Sequence, residues 1–384
     1  MNEQFAAMPL TIFEHMSGLA RDLGAVNLGQ GFPDFGWPED VVAAAADALL
    51  NGSNQYPPMR GLPALREAVC DHYAAHQGLA IAPEQVIITS GATEALAAAI
   101  MAIVTPGDEV LLFEPLYDAY VPIVLRCGGI PRIARLAAPH WRLTSDILDG
   151  LFTDRVRLVV LNTPHNPTGR AFDEAELRLL AEACVRHDAL AISDEVWEQV
   201  VFDGRRHITL ASMPGMAERT IKVGSAGKIF SLTGWKVGWA VASPELSRAV
   251  ANAHQFLTFT TAPNLQTAVA FGLGKPRTHF DAVRSELSKA RDFLLDGVQQ
   301  AGFVTTAVEA TYFVCVDLAA SGIAIDDRSF CEQAVREHGV AAIPLSPFYE
   351  ADPERGFIRL CFAKKRATLE TGIERLAAAR KAFA

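Results

Sequence analysis

Between residues 86 and 224, short apolar runs alternate with segments of helical periodicity, and this alternation narrows the fold more than any other feature of the chain. Residues 86–89, 109–113, 157–161, 190–193 and 220–224 read as strands. Predicted helices lie between them: one from the Ser90 turn to about Val104, others at 117–126 and 174–187. Strand–helix alternation predicts an α/β fold, a largely parallel sheet with helices on both faces. Upstream, helices are expected at 11–23, 39–50 and 62–76, with a Gly/Pro-rich loop at 27–34. From about Pro276 the pattern changes to a long charged helix at 277–301, then strand 312–317, helix 329–337, and strands 340–344 and 357–362. Short strands with helices suggest a smaller α+β unit. At 384 residues, 50% of them hydrophobic, the chain exceeds a single compact core. The expected division is a large domain at 40–276 and a small one made of 1–39 with 277–384.

The charge balance sets limits on partners. A net charge of −10 leaves no excess of Lys or Arg to neutralise phosphates, so no nucleic-acid partner is expected. The six cysteines form no CxxC pair, and no His or Cys cluster has zinc spacing, so no metal site is expected. Most of them sit in apolar segments and read as buried thiols of a reducing cytoplasm. The N-terminal residues lack a basic segment followed by an apolar one, so no signal peptide is expected. The apolar runs 43–50 and 96–104 are too short to span a membrane.

In open α/β sheets, ligands bind beyond the carboxyl ends of the strands. The chemically rich segments of this chain fall at such ends. After the last predicted strand comes Ser225-Ala-Gly-Lys-Ile-Phe-Ser-Leu-Thr-Gly-Trp-Lys-Val-Gly-Trp239, with two lysines eight residues apart. Small residues around Lys228 let its amine approach a flat ligand. Ser225 and Lys236 can then reach one anion. Such a set suits a Schiff base with pyridoxal phosphate whose phosphate is gripped at the same time. The stretch closely resembles the lysine signature of class I/II pyridoxal-phosphate aminotransferases.

The resemblance runs from about Thr11 to Leu369. It is strongest to the methionine and kynurenine aminotransferase branch, in Asn27-Leu-Gly-Gln-Gly-Phe-Pro-Asp34, Asn54-Gln-Tyr56, the lysine stretch, His338-Gly-Val-Ala-Ala-Ile-Pro-Leu345 and Phe357-Ile-Arg-Leu-Cys-Phe-Ala-Lys364. It implies the fold type I architecture of pyridoxal-phosphate transferases and a homodimer with shared sites. Lys228 would carry the Schiff base. Ala92 and Thr93, in Ser90-Gly-Ala-Thr-Glu94, would join Ser225 and Lys236 around the phosphate; an ordinary helix cap explains that string equally well. Asp194, with Glu195 as rival, would pair with the pyridine nitrogen. Asn166, in Asn166-Pro-Thr-Gly169, would bond the ring's 3-oxygen, and Tyr117 would stack on the ring. Tyr56 would reach the phosphate of the neighbouring subunit. Arg359 would hold the substrate carboxylate through its bidentate fork, under a loop containing Gly31. Phe13, and Phe259 of the partner subunit, are candidate walls of an apolar pocket, and core packing explains either equally well.

One position departs from the family pattern. Trp197 stands where tyrosine is usual, and an indole N–H can donate but not accept. The 3-oxygen is therefore expected to rest on Asn166, alone or with the indole. The implied reaction moves an amino group from an apolar, sulfur-containing or aromatic amino acid to a 2-oxo acid. Two alternatives stand beside it: a carbon–sulfur β-lyase using the same cofactor, and the aminotransferase-like part of a ligand-sensing regulator, for which the acidic charge and the lack of a DNA-binding segment before Asn27 are unfavourable.

Overall fold

The computed structural model describes Met1 and residues 3–383. Seven strands form the main sheet, in the spatial order Val86–Thr89, Gly238–Val241, Thr220–Ser225, Leu190–Asp194, Val156–Asn162, Glu109–Glu114 and Ile130–Arg135. Gly238–Val241 is antiparallel to both neighbours, and the remaining pairs are parallel. This is the α/β, mostly parallel mixed sheet expected for fold type I. The five expected strands are present, within a residue or so of their predicted ends.

Two strands of the sheet escape the sequence pattern. Ile130–Arg135 is an edge strand with half-exposed residues and two arginines, so it lacks the continuous apolar signal of a central strand. Gly238–Val241 has four residues and follows the lysine stretch without a break in composition. Its neighbours on both sides cover it, and every residue in it is buried.

Side-chain caps open some of the expected helices. Thr11 caps Ile12–Asp22 by accepting from the Glu14 amide at 3.3 Å. Asp173 and Glu176 form a reciprocal capping box at the start of Glu174–Arg186. The helix expected from Tyr117 begins instead at Tyr120, which leaves Tyr117 on the preceding loop. Helices Pro244–Leu257, Pro263–Leu273 and Arg366–Phe383 lie outside the expected set.

A second, antiparallel sheet carries Ile343–Pro344, Phe357–Cys361, Phe313–Asp317 and Val304–Thr305 in that order. Val26–Asn27 pairs in parallel with Val340–Ala341, so the N-terminal segment is built onto the C-terminal part of the chain. The cysteines are free thiols, and all but Cys127 are buried. No described helix is long and apolar enough to cross a membrane.

The direction of the strands is what assembles the site. Val86–Thr89, Glu109–Glu114, Val156–Asn162, Leu190–Asp194 and Thr220–Ser225 all run the same way, so their C-terminal residues share one rim. Thr89 and Ser225 both pair with Gly238, which brings the Ser90 turn beside the lysine stretch.

Candidate active site

A cavity of ≈ 340 Å³ opens on that rim. Gly31, Phe13, Ala92, Thr93, Tyr117, Asn166, Asp194, Trp197, Ser225, Lys228, Lys236 and Arg359 all line it. Twelve of the fourteen site residues expected from the sequence therefore converge, although their positions span the chain. Tyr56 and Phe259 do not line it. They lie outside it, with their rings edge to face at 5.5 Å, and Tyr56 is 84% exposed.

Lys228 sits on the short helical turn Ala226–Ile229 that follows Ser225. Its amine has no carboxylate in salt-bridge range among the described residues; it lies 4.7 Å from the centre of the Trp197 ring and 3.4 Å from the Tyr312 hydroxyl. Desolvation pushes its pKa down to about 8, and the Arg359 and Lys236 charges act in the same direction. A lysine of this kind is partly unprotonated near neutral pH, as a nucleophile must be.

Asp194 ends its strand buried, and burial raises its pKa to about 6, against the opposing bond from the Tyr120 hydroxyl at 2.6 Å. Its rival does not face the cavity. Glu195 lies in a separate buried network, bonded by Lys222, His207, Ser193 Oγ at 2.7 Å and Thr209 Oγ1 at 2.8 Å. Burial acts to raise its pKa, but Lys222 and His207 outweigh that and hold it ionised.

Arg359, fully buried, donates from Nη1 to Asn166 Oδ1 at 2.7 Å and from Nη2 to the Gly29 carbonyl at 3.0 Å. Its Nε has no partner. Phe313, Phe13 and Phe348 surround the guanidinium at 3.9, 5.2 and 5.5 Å. No carboxylate pairs with it among the described residues, and burial lowers its pKa to about 10. A buried cation boxed by aromatic faces and lacking a counter-ion is costly unless an anion arrives. Asn166 has a fixed orientation: with Oδ1 taken by Arg359, its Nδ2 remains to donate.

The Ser90 turn is built for close approach. Gly91 has φ +78°, and a Cβ there would stand 3.2 Å from Lys236 Nζ. A Cβ on Gly238 would stand 2.7 Å from the Ala92 amide nitrogen. Larger residues would close the cradle in which the Ala92 backbone and Lys236 meet.

Several residues of the site were not legible in sequence. Tyr120 bonds Asp194, Asn162 bonds the Asp194 carbonyl at 2.9 Å and the Asn166 amide at 2.8 Å, and Gln30, Val196 and Phe313 line the cavity. Tyr120 lies three residues after Tyr117 in the same string, yet nothing in the string indicates that its hydroxyl reaches a strand end 74 residues away.

The rim of this sheet, with its paired lysines and its carboxylate, defines a class of enzyme, and the family profile of aminotransferase class I and II matches residues 24–376. The chain belongs to that family, whose members depend on pyridoxal phosphate and transfer amino groups. It is 42% identical over 368 residues to the methionine aminotransferase of Escherichia coli K12, covering 95% of each chain. It is 36% identical over 393 residues to human kynurenine–oxoglutarate transaminase 1, covering 93% of each. The solved structure of N-succinyldiaminopimelate aminotransferase from Mycobacterium tuberculosis superposes with a TM-score of 0.95 at 41% identity, covering 98% of this chain and 99% of that one. These proteins are named as aminotransferases, which favours neither the lyase nor the regulator alternative.

The residues present fit the cofactor. The cavity offers an amine without a carboxylate partner, a buried carboxylate, and a glycine cradle beside a lysine that a Cβ would fill.

Proposed function

We propose that this aminotransferase takes an L-amino acid with an uncharged apolar, sulfur-containing or aromatic side chain, methionine- or kynurenine-like, and passes its amino group to a 2-oxo acid. The observation that carries the reading is Arg359. Its guanidinium lacks a counter-ion, faces the same cavity as Lys228, and is boxed by Phe13, Phe313 and Phe348. An α-carboxylate satisfies the fork, and the aromatic walls beside it suit an apolar side chain. Apart from Lys228, Lys236 and Arg359, no cation lines the cavity among the described residues. A side chain with its own carboxylate, as in N-succinyldiaminopimelate, would find no fourth cation from this chain.

When bound, pyridoxal phosphate supplies an electron sink for charge at the substrate's α-carbon. Lys228 would hold the cofactor covalently through Nζ, and once the substrate's amine displaces it, the same Nζ would accept the proton from the substrate's α-carbon. Asp194 would keep a proton on the ring nitrogen. Ser225, Lys236 and the backbone at Ala92 and Thr93 would hold the phosphate. Asn166 Nδ2 would donate to the ring's 3-oxygen, beside Trp197. Tyr117 would stack on the ring, while Gly31 and Arg359 fix the carboxylate, so that the Cα–H bond faces Lys228.

The division into a large domain at 40–276 and a small one at 1–39 with 277–384 belongs to the same proposal, since Arg359 and Gly31 then come from one unit and Lys228 from the other. So does a homodimer in which Tyr56 and Phe259 reach the neighbouring cavity. A cytoplasmic setting accords with six free thiols.

The test is a mixture of the purified enzyme with single amino acids and no acceptor. Conversion of the cofactor spectrum to the amine form, with one 2-oxo acid per site and fastest for apolar or aromatic donors, is the expected result. Continuing release of pyruvate and ammonia would make the protein a lyase. Fastest reaction with dicarboxylic donors would overturn the substrate class.

A further inference from the structure

Lys228 and the Gly31 loop are distant in sequence, yet one hydroxyl lies between them. Tyr312 Oη donates to the Gly31 carbonyl at 2.7 Å and stands 3.4 Å from Lys228 Nζ. A tyrosine hydroxyl has a single proton and two lone pairs. With the proton committed to Gly31, the oxygen presents a lone pair to the N–H groups of the lysine. Among the described residues this oxygen is the one hydrogen-bond partner of Lys228 Nζ. Trp197, packed edge to face on Tyr312 at 4.3 Å, offers the amine only its π face.

The loop end of the link is equally specific. Gly29 is held through its carbonyl by Arg359, and Gly31 through its carbonyl by Tyr312. A Cβ on Gly31 would stand 2.8 Å from the Phe313 ring, so the loop lies directly on the segment that carries Tyr312 and Phe313. Arg359 lies on Phe357–Cys361, and Tyr312 immediately precedes its strand partner Phe313–Asp317.

We infer that Tyr312 is a positioning residue of the aminotransferase, its hydroxyl holding the free Lys228 amine and tying that amine to the Gly31 loop. The inference rests on the reading of Lys228 as the reacting amine. Its consequence is that two events of the reaction share one hydroxyl. When the amine is free, it has a fixed acceptor beside the cavity. When the amine is engaged elsewhere, Tyr312 keeps only its bond to the loop. The other groups facing Lys228 are Arg359 and Lys236, whose charges disfavour its protonated form, and Asp194 and Cys361, which favour it. None of these residues is substituted in Tyr312→Phe.

The test uses the cofactor-free full chain as wild type, Tyr312→Phe and Tyr349→Phe. The Tyr312→Phe change keeps the ring that packs on Trp197 and Phe313. Tyr349→Phe removes a buried hydroxyl near Trp141, as a control for loss of a hydroxyl elsewhere. Two readouts are taken: the pH dependence of the rate at which added pyridoxal phosphate forms its Schiff base, and amide hydrogen exchange across residues 27–34 before any cofactor is added. An ammonium donates more strongly than an amine, so the Tyr312 oxygen favours the protonated lysine. Tyr312→Phe is expected to move the midpoint of the rate profile down by about one pH unit and to speed loop exchange several-fold. Tyr349→Phe is expected to leave both unchanged. An unmoved midpoint, unmoved exchange, or equal changes in Tyr349→Phe would overturn the inference. Failure of wild type itself to form the Schiff base would instead defeat the reading of Lys228.

Discussion

Two carboxylates, adjacent in sequence, show how environment assigns roles to single residues. Asp194 lines the cavity with a raised pKa, while Glu195 beside it is ionised within a network of cationic and hydroxyl donors. The sequence pattern chose Asp194, but only burial and partners explain why one side chain is available and the other occupied. In the cofactor-free protein Asp194 goes from 3.8 to about 6, so the folded state holds the extra proton between those values. Stability from this group is present below pH 3.8, declines as pH rises, and is gone above about 6. Asp194→Asn is therefore expected to stabilise the cofactor-free protein above pH 6, by up to about 3 kcal/mol in urea unfolding. The same change is expected to cost the loaded enzyme roughly two orders of magnitude or more in kcat, as misplaced protons do in acid–base catalysis. Unchanged stability across pH 4–7 would show that the carboxylate is not held neutral.

At the scale of elements, the sheet is secured behind the site by a buried polar cluster. Lys222, on Thr220–Ser225, bonds Glu195, which follows Leu190–Asp194, and Glu198 at 2.7 Å. Glu198 also accepts from Tyr73 at 3.0 Å and Gln77 at 2.7 Å, and Trp239 donates to Tyr73 at 2.7 Å. Three strands and the helix Pro63–Gln77 meet in this cluster, directly behind the residues that carry Asp194 and Lys228. Removing the cation leaves two buried carboxylates uncompensated, so Lys222→Met is expected to cost about 3–5 kcal/mol in chemical unfolding. Unaltered stability would show that hydrophobic packing alone fixes the strand ends. The cluster was invisible in sequence because Lys222 lies inside a run that reads as an apolar strand, and its partners are more than twenty residues away. Central strands with continuous apolar runs between residues 86 and 224 were legible, whereas the helices Pro244–Leu257, Pro263–Leu273 and Arg366–Phe383 were not. Ile130–Arg135 and Gly238–Val241 were not legible either, because their stability comes from neighbours rather than from their own pattern.

At the scale of the molecule, Tyr56 and Phe259 touch each other on the outside of the chain, and Phe256 is 86% exposed. Aromatic side chains left exposed in this way suit burial by a second copy. The proposed dimer is expected to sediment at twice the 41.4 kDa chain mass. Mixing inactive Lys228→Ala chains with impaired Tyr56→Ala chains would then create hybrids with one intact site, restoring roughly a quarter of wild-type activity in a random two-fold assembly. No recovery on mixing would mean that each chain completes its own site. The strand–helix order, the lysine stretch and the residue types at the strand ends were readable from the chain alone, because apolar periodicity and small residues around a reactive amine are local properties. Packing across the fold settled that Asn166 turns its oxygen to Arg359, that Tyr120 bonds Asp194, that Glu195 does not face the cavity, and that Tyr312 lies between Lys228 and Gly31. Those choices depend on which buried polar groups find partners across the fold, and segments far apart in sequence supply the partners.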